Sequence, residues 1–205
     1  MVAIMNVPTK AEWRTLVLGQ RRAVPPETKR AEAESLVEFV TSVTSVTADP
    51  KIVTTVCAYV PVGSEPGSLE MLDALRDAGR RVLLPVTGEP GPLEWAEFTG
   101  RDDLVPAGYG LREPSGPVLP STEVAAASVV LVPALAVDRH GVRLGRGAGF
   151  YDRTLGMARP DAMLVAVVRD SELVPQLPGD PHDVAMTHAL TPGGGLVRLG
   201  ADDPE

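Results

Sequence analysis

Three short apolar runs set what this chain can fold into. Residues 51–60, 128–133 and 162–168 are rich in β-branched side chains and show little alternation with polar ones. Runs of that kind suit strands buried on both faces, the condition of a parallel sheet covered by helices. Helical spacing lies around them. Thr9 with Glu12 three positions on makes a capping box at the head of a helix over residues 9–22. Pro25-Pro26 ends it, and a second helix is expected over 27–43. A third, over 68–78, closes at Gly79 and leads to a short strand at 81–85, which gives a β-α-β order. Residues 93–98 alternate like an exposed strand, and 106–120, rich in Gly and Pro, are expected to be an ordered loop without regular structure. A helix over 151–158, a loop over 175–183 and a short strand at 184–187 complete the reading. The expected fold is α/β. It is a three-layer α/β/α single domain over 1–205 with a mostly parallel sheet, an N-terminal helical segment (5–45) and an acidic tail (198–205). Ligands of such sheets sit beyond the carboxyl ends of strands, so the loops after Val60, Val132 and Val168 should gather on one rim.

The formal net charge of −8 argues against a general nucleic-acid or membrane-surface binder. An anionic ligand must be held by a local cluster of Arg and Lys. The sole cysteine, Cys57, excludes an internal disulfide and a cysteine-built zinc site, and its apolar surroundings mark a buried thiol. No run has the length of a transmembrane helix, and the N-terminus lacks the apolar core of a signal peptide. The expectation is a cytoplasmic monomer with small-molecule partners, no nucleic acid and no membrane.

Chemistry concentrates in residues 141–153, Gly-Val-Arg-Leu-Gly-Arg-Gly-Ala-Gly-Phe-Tyr-Asp-Arg. Alternating Gly145, Gly147 and Gly149 let main-chain N–H groups come close to an anion, since no Cβ intervenes. Arg143 and Arg146 can hold phosphate oxygens in a fork. Asp152 can hold the magnesium that accompanies a nucleotide. The run is neither a P-loop, which needs a Lys, nor a dinucleotide fingerprint, which would need glycine at Phe150. A plain glycine-rich turn between strand and helix is the competing reading, which the arginines and the acid disfavour. Lys10 and Arg14 lie one helical turn apart and point the same way, although such a pair also suits a solvated face. Ser64 lacks a nucleophile elbow.

Taken in order, these pieces resemble the 5-formyltetrahydrofolate cyclo-ligase family, also called 5,10-methenyltetrahydrofolate synthetases. The resemblance spans Lys10-x-x-x-Arg14 with Arg21-Arg22, Tyr59-x-Pro61 with Glu65, and Leu84-Pro85. It continues through Pro92-Leu93-x-Trp95, Gly108-Tyr109-Gly110 with Glu113-Pro114, and Val132-Pro133. It ends with Asp138 through Asp152, and Leu177-Pro178 with His182-Asp183. It implies a small α/β enzyme that uses ATP and Mg²⁺ to cyclise 5-formyltetrahydrofolate. On that resemblance Arg146, Lys10 and Tyr151 are catalytic. ATP is held by Lys10, Arg14, Arg143, Leu144, Gly145, Arg146, Gly147, Ala148, Gly149, Phe150 and Tyr151. The folate is held by Tyr59 and Glu65 together with Arg146, Gly147, Ala148, Gly149 and Phe150. Asp152 and Asp183 hold the metal, directly or through water, and the role of Asp138 is left open between orienting Arg143 or Arg146 and touching substrate. Ala148, Phe150 and the Ser64-Glu65-Pro66 triplet depart from the family's commoner residues. A non-catalytic folate-binding protein and a sugar-phosphate or acyl-transfer enzyme are the competing classes. Four charged residues retained together, Lys10, Arg146, Asp152 and Asp183, disfavour the first. The lack of a nucleophile in a defined elbow disfavours the second.

Overall fold

A computed structural model of the chain describes residues 8–45, 54–88, 90–181 and 183–200. The expected features at 5–7, 51–53, His182 and 201–205 lie outside these. Helix α1 (Lys10–Ala23) begins at the anticipated capping box: the Thr9 side chain accepts from the Glu12 N–H, and Glu12 Oε2 accepts from the Thr9 N–H. α2 (Pro26–Ser45) follows with proline at its first position. Strand β1 (Thr55–Cys57), helix α3 (Leu69–Asp77), β2 (Arg81–Val86) and β3 (Glu94–Glu97) come next. Then come β4 (Leu104–Pro106), β5 (Arg112–Pro114), β6 (Ala127–Pro133), β7 (Ala136–Asp138) and β8 (Arg143–Leu144). Helix α4 (Phe150–Leu155), β9 (Met163–Val167), β10 (Leu173–Val174), β11 (His188–Thr191) and β12 (Gly195–Arg198) end the chain.

A seven-stranded sheet ordered β12-β11-β9-β6-β1-β2-β3 forms the middle layer. Its five central strands are parallel, and β3 and β12 add antiparallel edges. α2 and α3 cover one face, where Leu36, Val40, Met71 and Leu72 pack on Val56, Leu84, Leu131 and Val165. The opposite face buries Cys57, Trp95, Val130, Val132 and Ala166 beneath α4 and the turn at 121–126. A third cluster seats Val17 of α1 against Leu135, Leu144, Val174 and Leu177, around the small sheet β10-β7-β8. No helix among the described residues is long and apolar enough to cross a membrane.

The structure adds the short strands β7, β8, β10 and β12, and β12 with the buried Leu199 takes up the start of the tail expected at 198–205; it departs from the sequence reading at three further places. β3 is buried at its centre and exposed at its ends: Glu94 and Glu97 face solvent, whereas Trp95 and Ala96 are buried, Trp95 beneath the segment it meets by pairing with Leu119 and by its indole N–H reaching the Ser121 carbonyl. The 106–120 segment contains part of a β4–β5 hairpin closed by a 3₁₀ turn at Gly108–Gly110. The last parallel strand starts at His188, not at Val184. The Met186 N–H instead donates to Gly141, so the run at 184–187 braces the β7–β8 turn before pairing with β9 begins.

Candidate active site

The carboxyl ends of β1, β2 and β6 open onto one cavity of about 510 Å³. Tyr59 and Glu65 line it from the segment after β1, Pro85 and Thr87 from the end of β2, and Pro133, Ala134 and Leu135 from the end of β6. Gly145–Asp152 form its fourth wall, with Arg143 beside them. The small sheet delivers that wall. β8 ends at Leu144, the loop turns at Gly147 (φ +106°) and Gly149 (φ +73°), and α4 starts at Phe150. Both angles lie where L side chains are strained, so glycine is required there. A Cβ on Gly145 would stand 2.7 Å from Arg143 Nη1, so the guanidinium packs directly against the loop.

Arg143 is almost completely buried. Its Nη2 donates to Asp152 Oδ1 at 2.5 Å, its guanidinium lies 5.7 Å from the Tyr151 ring centre, and its Nε has no partner. The Tyr151 hydroxyl is likewise buried without a partner, and burial pushes its pKa up. Two unsatisfied donors in one cavity wall are unusual, because a buried polar group left unpaired is costly. Arg146, about half exposed, crosses the opening and donates from Nε to Glu65 Oε1 at 3.1 Å. The other Glu65 oxygen accepts the Val62 N–H. Tyr59 is buried, and its hydroxyl donates to the Pro66 carbonyl at 2.7 Å.

α1 docks behind the glycine loop. Arg14 Nε donates to the Gly145 carbonyl at 2.9 Å. Lys10 Nζ donates to Asp180 at 2.6 Å and to Asp183 at 2.8 Å. The two carboxylates raise the Lys10 pKa against the opposing effect of desolvation. Arg14 therefore braces the loop from α1, and none of Lys10, Arg14 and Asp183 lines the cavity. The Leu144 side chain is core, and only its backbone, paired with Leu135 and Ala136, serves the loop. Asp138 does not orient either arginine. Its carboxylate accepts from the backbone N–H groups of His140, Val142 and Leu177, fixing the β7–β8 turn.

Arg21 and Glu113, which the motifs contain without a role assigned to them, and Thr87 and Arg112, which they do not, also line the cavity. Glu113 accepts from both the N–H and the hydroxyl of Thr87, tying the β4–β5 hairpin to the end of β2. Arg21 carried a legible signal. Lys10, Arg14, Val17 and Arg21 recur at helical spacing, so the stripe that buries Val17 also turns Arg21 inward.

A sequence model of the 5-formyltetrahydrofolate cyclo-ligase family matches residues 6–192. The chain belongs to the 5-formyltetrahydrofolate cyclo-ligase family. A 5-formyltetrahydrofolate cyclo-ligase of Mycolicibacterium smegmatis is 52% identical over 201 residues, covering 95% of this chain and 100% of that protein. Its Escherichia coli K12 counterpart is 28% identical over 182 residues, with 86% of this chain and 97% of that protein covered. The NMR structure of an Aquifex aeolicus 5,10-methenyltetrahydrofolate synthetase superposes with a TM-score of 0.73 at 26% identity, covering 96% of this chain and 95% of that one. A Mycoplasma pneumoniae synthetase shares the fold, with a TM-score of 0.66 at 16% identity over 86% of this chain and 94% of that one. Membership accounts for the order of the motifs, from the Lys10/Arg14 face of α1 to the glycine loop.

Proposed function

We propose that this protein is an ATP-dependent ligase that closes 5-formyltetrahydrofolate to 5,10-methenyltetrahydrofolate, releasing ADP and phosphate. The observation that carries the reading is the shared cavity: the glycine loop and Arg146 face Glu65 and Tyr59 across one space. A two-substrate transfer needs that layout, with a phosphate grip opposite a recognition wall for a flat, polar-edged ring.

The formyl oxygen is a poor leaving group. It attacks the γ-phosphorus of ATP, the bond from that phosphorus to the β-bridging oxygen breaks, and ADP leaves. N10 then attacks the activated carbon, a proton leaves N10, and the carbon–oxygen bond breaks to release phosphate. In this reading the main-chain N–H groups of Gly145–Gly149 hold the triphosphate, and Arg146 leaves Glu65 to offset charge on the transferring group. Lys10 and Arg14 add positive charge from α1. Glu65 accepts hydrogen bonds from the amino and ring N–H groups of the pterin, and Tyr59 packs on its face. Tyr151 and Arg143 present their unpaired donors where the two substrates meet.

Among the described residues no group of three or more His, Cys, Asp or Glu side chains is placed to hold a metal. That suits Mg²⁺ arriving with ATP, which keeps several waters and takes one or two carboxylates besides phosphate. Asp152 fits: it lines the cavity, and Arg143 engages only its Oδ1. Asp183, held by Lys10 and by the Asp180 N–H, would serve through water. When bound, Mg²⁺ would neutralise phosphate charge. The test is spectroscopic. Purified protein with ATP, Mg²⁺ and 5-formyltetrahydrofolate should develop methenyl absorbance that disappears when any component is omitted. Folded protein that leaves ATP and the folate unchanged would end the reading.

A further inference from the structure

Arg21 is 1% exposed, yet it lines the cavity. Its Nε and Nη2 donate to the two oxygens of Glu172 at 2.7 Å each, and Nη2 also reaches the Ala134 carbonyl at 2.7 Å. Its Nη1 is buried with no partner. A guanidinium is a rigid fork, so the bonds to Glu172 and Ala134 fix where the idle N–H groups lie. Glu172 already neutralises the charge. What remains is a directional donor, suited to a carbonyl oxygen rather than to a phosphate.

Arg21 belongs to the Glu65 end of the cavity. Arg169 connects the two: its N–H donates to Glu172 at 2.9 Å, and its Nη1 to the carbonyl of Ser64, beside Glu65, at 3.2 Å. Glu32 holds Arg169 from α2 at 2.8 Å. Tyr59 lines the same cavity, close enough to feel the charges of both Arg21 and Glu65. Burial raises its pKa well above the ordinary range, Glu65 adds to this, and Arg21 opposes it. A pterin ring carries a 2-amino group, a ring N–H and a 4-oxo oxygen in sequence along one edge. Glu65 can accept from the first two but cannot serve the third.

We propose that Arg21 Nη1 donates to the 4-oxo oxygen of the reduced pterin and, with Glu65, selects an oxo ring over a 4-amino ring. The proposal rests on the cyclo-ligase reading. It is tested by calorimetric titration, without ATP, of 5-formyltetrahydrofolate and its 4-amino analogue into three proteins: wild type, Arg21→Lys, and the double variant Arg21→Gln/Glu172→Gln. Lysine keeps a charge opposite Glu172 but lacks the fork, and the double variant removes both charges together. Both variants should lose about 10- to 100-fold in affinity for the oxo ring, and the oxo-to-amino ratio should fall by a similar factor. An unchanged ratio in variants that melt cooperatively overturns the proposal. A co-crystal of wild type with 5-formyltetrahydrofolate decides it without any variant. Nη1 is expected about 2.7–3.2 Å from the oxo oxygen, and an oxo oxygen bonded elsewhere overturns the proposal. Wild-type protein that binds neither ring overturns the cyclo-ligase reading and this proposal with it.

Discussion

At the scale of single residues, the site is a set of charges held in standby pairs. Arg146 leans on Glu65, Arg143 on Asp152, and Lys10 on Asp180 and Asp183. Exposure ranks them. The Arg146 side chain is 54% exposed and can swing to a ligand, whereas Arg143 is 6% exposed and is fixed where it stands. Arg146→Ala should therefore lower kcat about 10²-fold or more by removing charge stabilisation from the transferring phosphoryl group, with little loss of folding stability. Steady-state kinetics beside a thermal melt would separate the two effects, and unchanged turnover would exclude Arg146 from the chemistry. Motif reading recovered the residues that announce themselves in sequence, such as the glycines and the arginines among them. It named Arg21 and Glu113 within motifs but gave them no role: helical spacing can place Arg21 inward, yet a buried charge is spelled like a solvated one and the partner that makes it useful is not in the motif. What distinguishes Arg21 is Glu172, 151 residues away in the chain.

At the scale of elements, α1 is held at both ends: Lys10 pairs with Asp180 and Asp183 at the first turn, and Arg21 with Glu172 at the last. The folded-state pKa of Lys10 is raised above its ordinary 10.5. Its contribution is therefore complete below 10.5 and is lost as pH climbs through the folded value. Lys10→Met should cost about 0.5–1 kcal/mol at pH 8, the upper part of the range for surface pairs because Lys10 and Asp183 are partly buried, and should flatten the fall in stability above pH 10.5. Urea melts across that range would show it. The β7–β8 turn is less forgiving. Gly141 has φ +93°, and a Cβ there would stand 2.4 Å from the Met186 carbonyl oxygen. Gly141→Ala should destabilise by about 2–5 kcal/mol, because strain and overpacking add at one point. A melt within 0.5 kcal/mol of wild type would contradict this. Long elements were legible because periodicity needs length: α1, α2 and the buried runs of β6 and β9 fall within a few residues of expectation. β7, β8 and β10 span two or three residues each and leave no period to read. The apolar run at 184–187 misled for a physical reason. Its burial comes partly from the β7–β8 turn, and apolar side chains do not encode which neighbour covers them.

At the scale of the whole molecule, two anionic substrates must enter a protein of net charge −8, so local geometry has to outweigh the overall field. The Arg146–Glu65 pair makes that geometry conditional, because the same contact occupies the groups proposed to greet each substrate. Whichever ligand arrives first must break it, and the second then meets a partner already released. That is a coupling free energy between two halves of one cavity, and its ceiling is the worth of the pair, about 0.2–1 kcal/mol. A ligand present at 100 times its Kd stabilises by about 2.7 kcal/mol, or about 5–10 °C in a domain of this size. Calorimetry with a non-hydrolysable ATP analogue, with 5-formyltetrahydrofolate, and with both should then give a joint shift that exceeds the sum of the two by up to about 4 °C. Glu65→Gln weakens the pair before any ligand is added. In that variant the excess should vanish while the shift from the nucleotide analogue alone grows. Strictly additive shifts in wild type would mean that the two sites are filled independently and that the bridge across the opening has no part in binding.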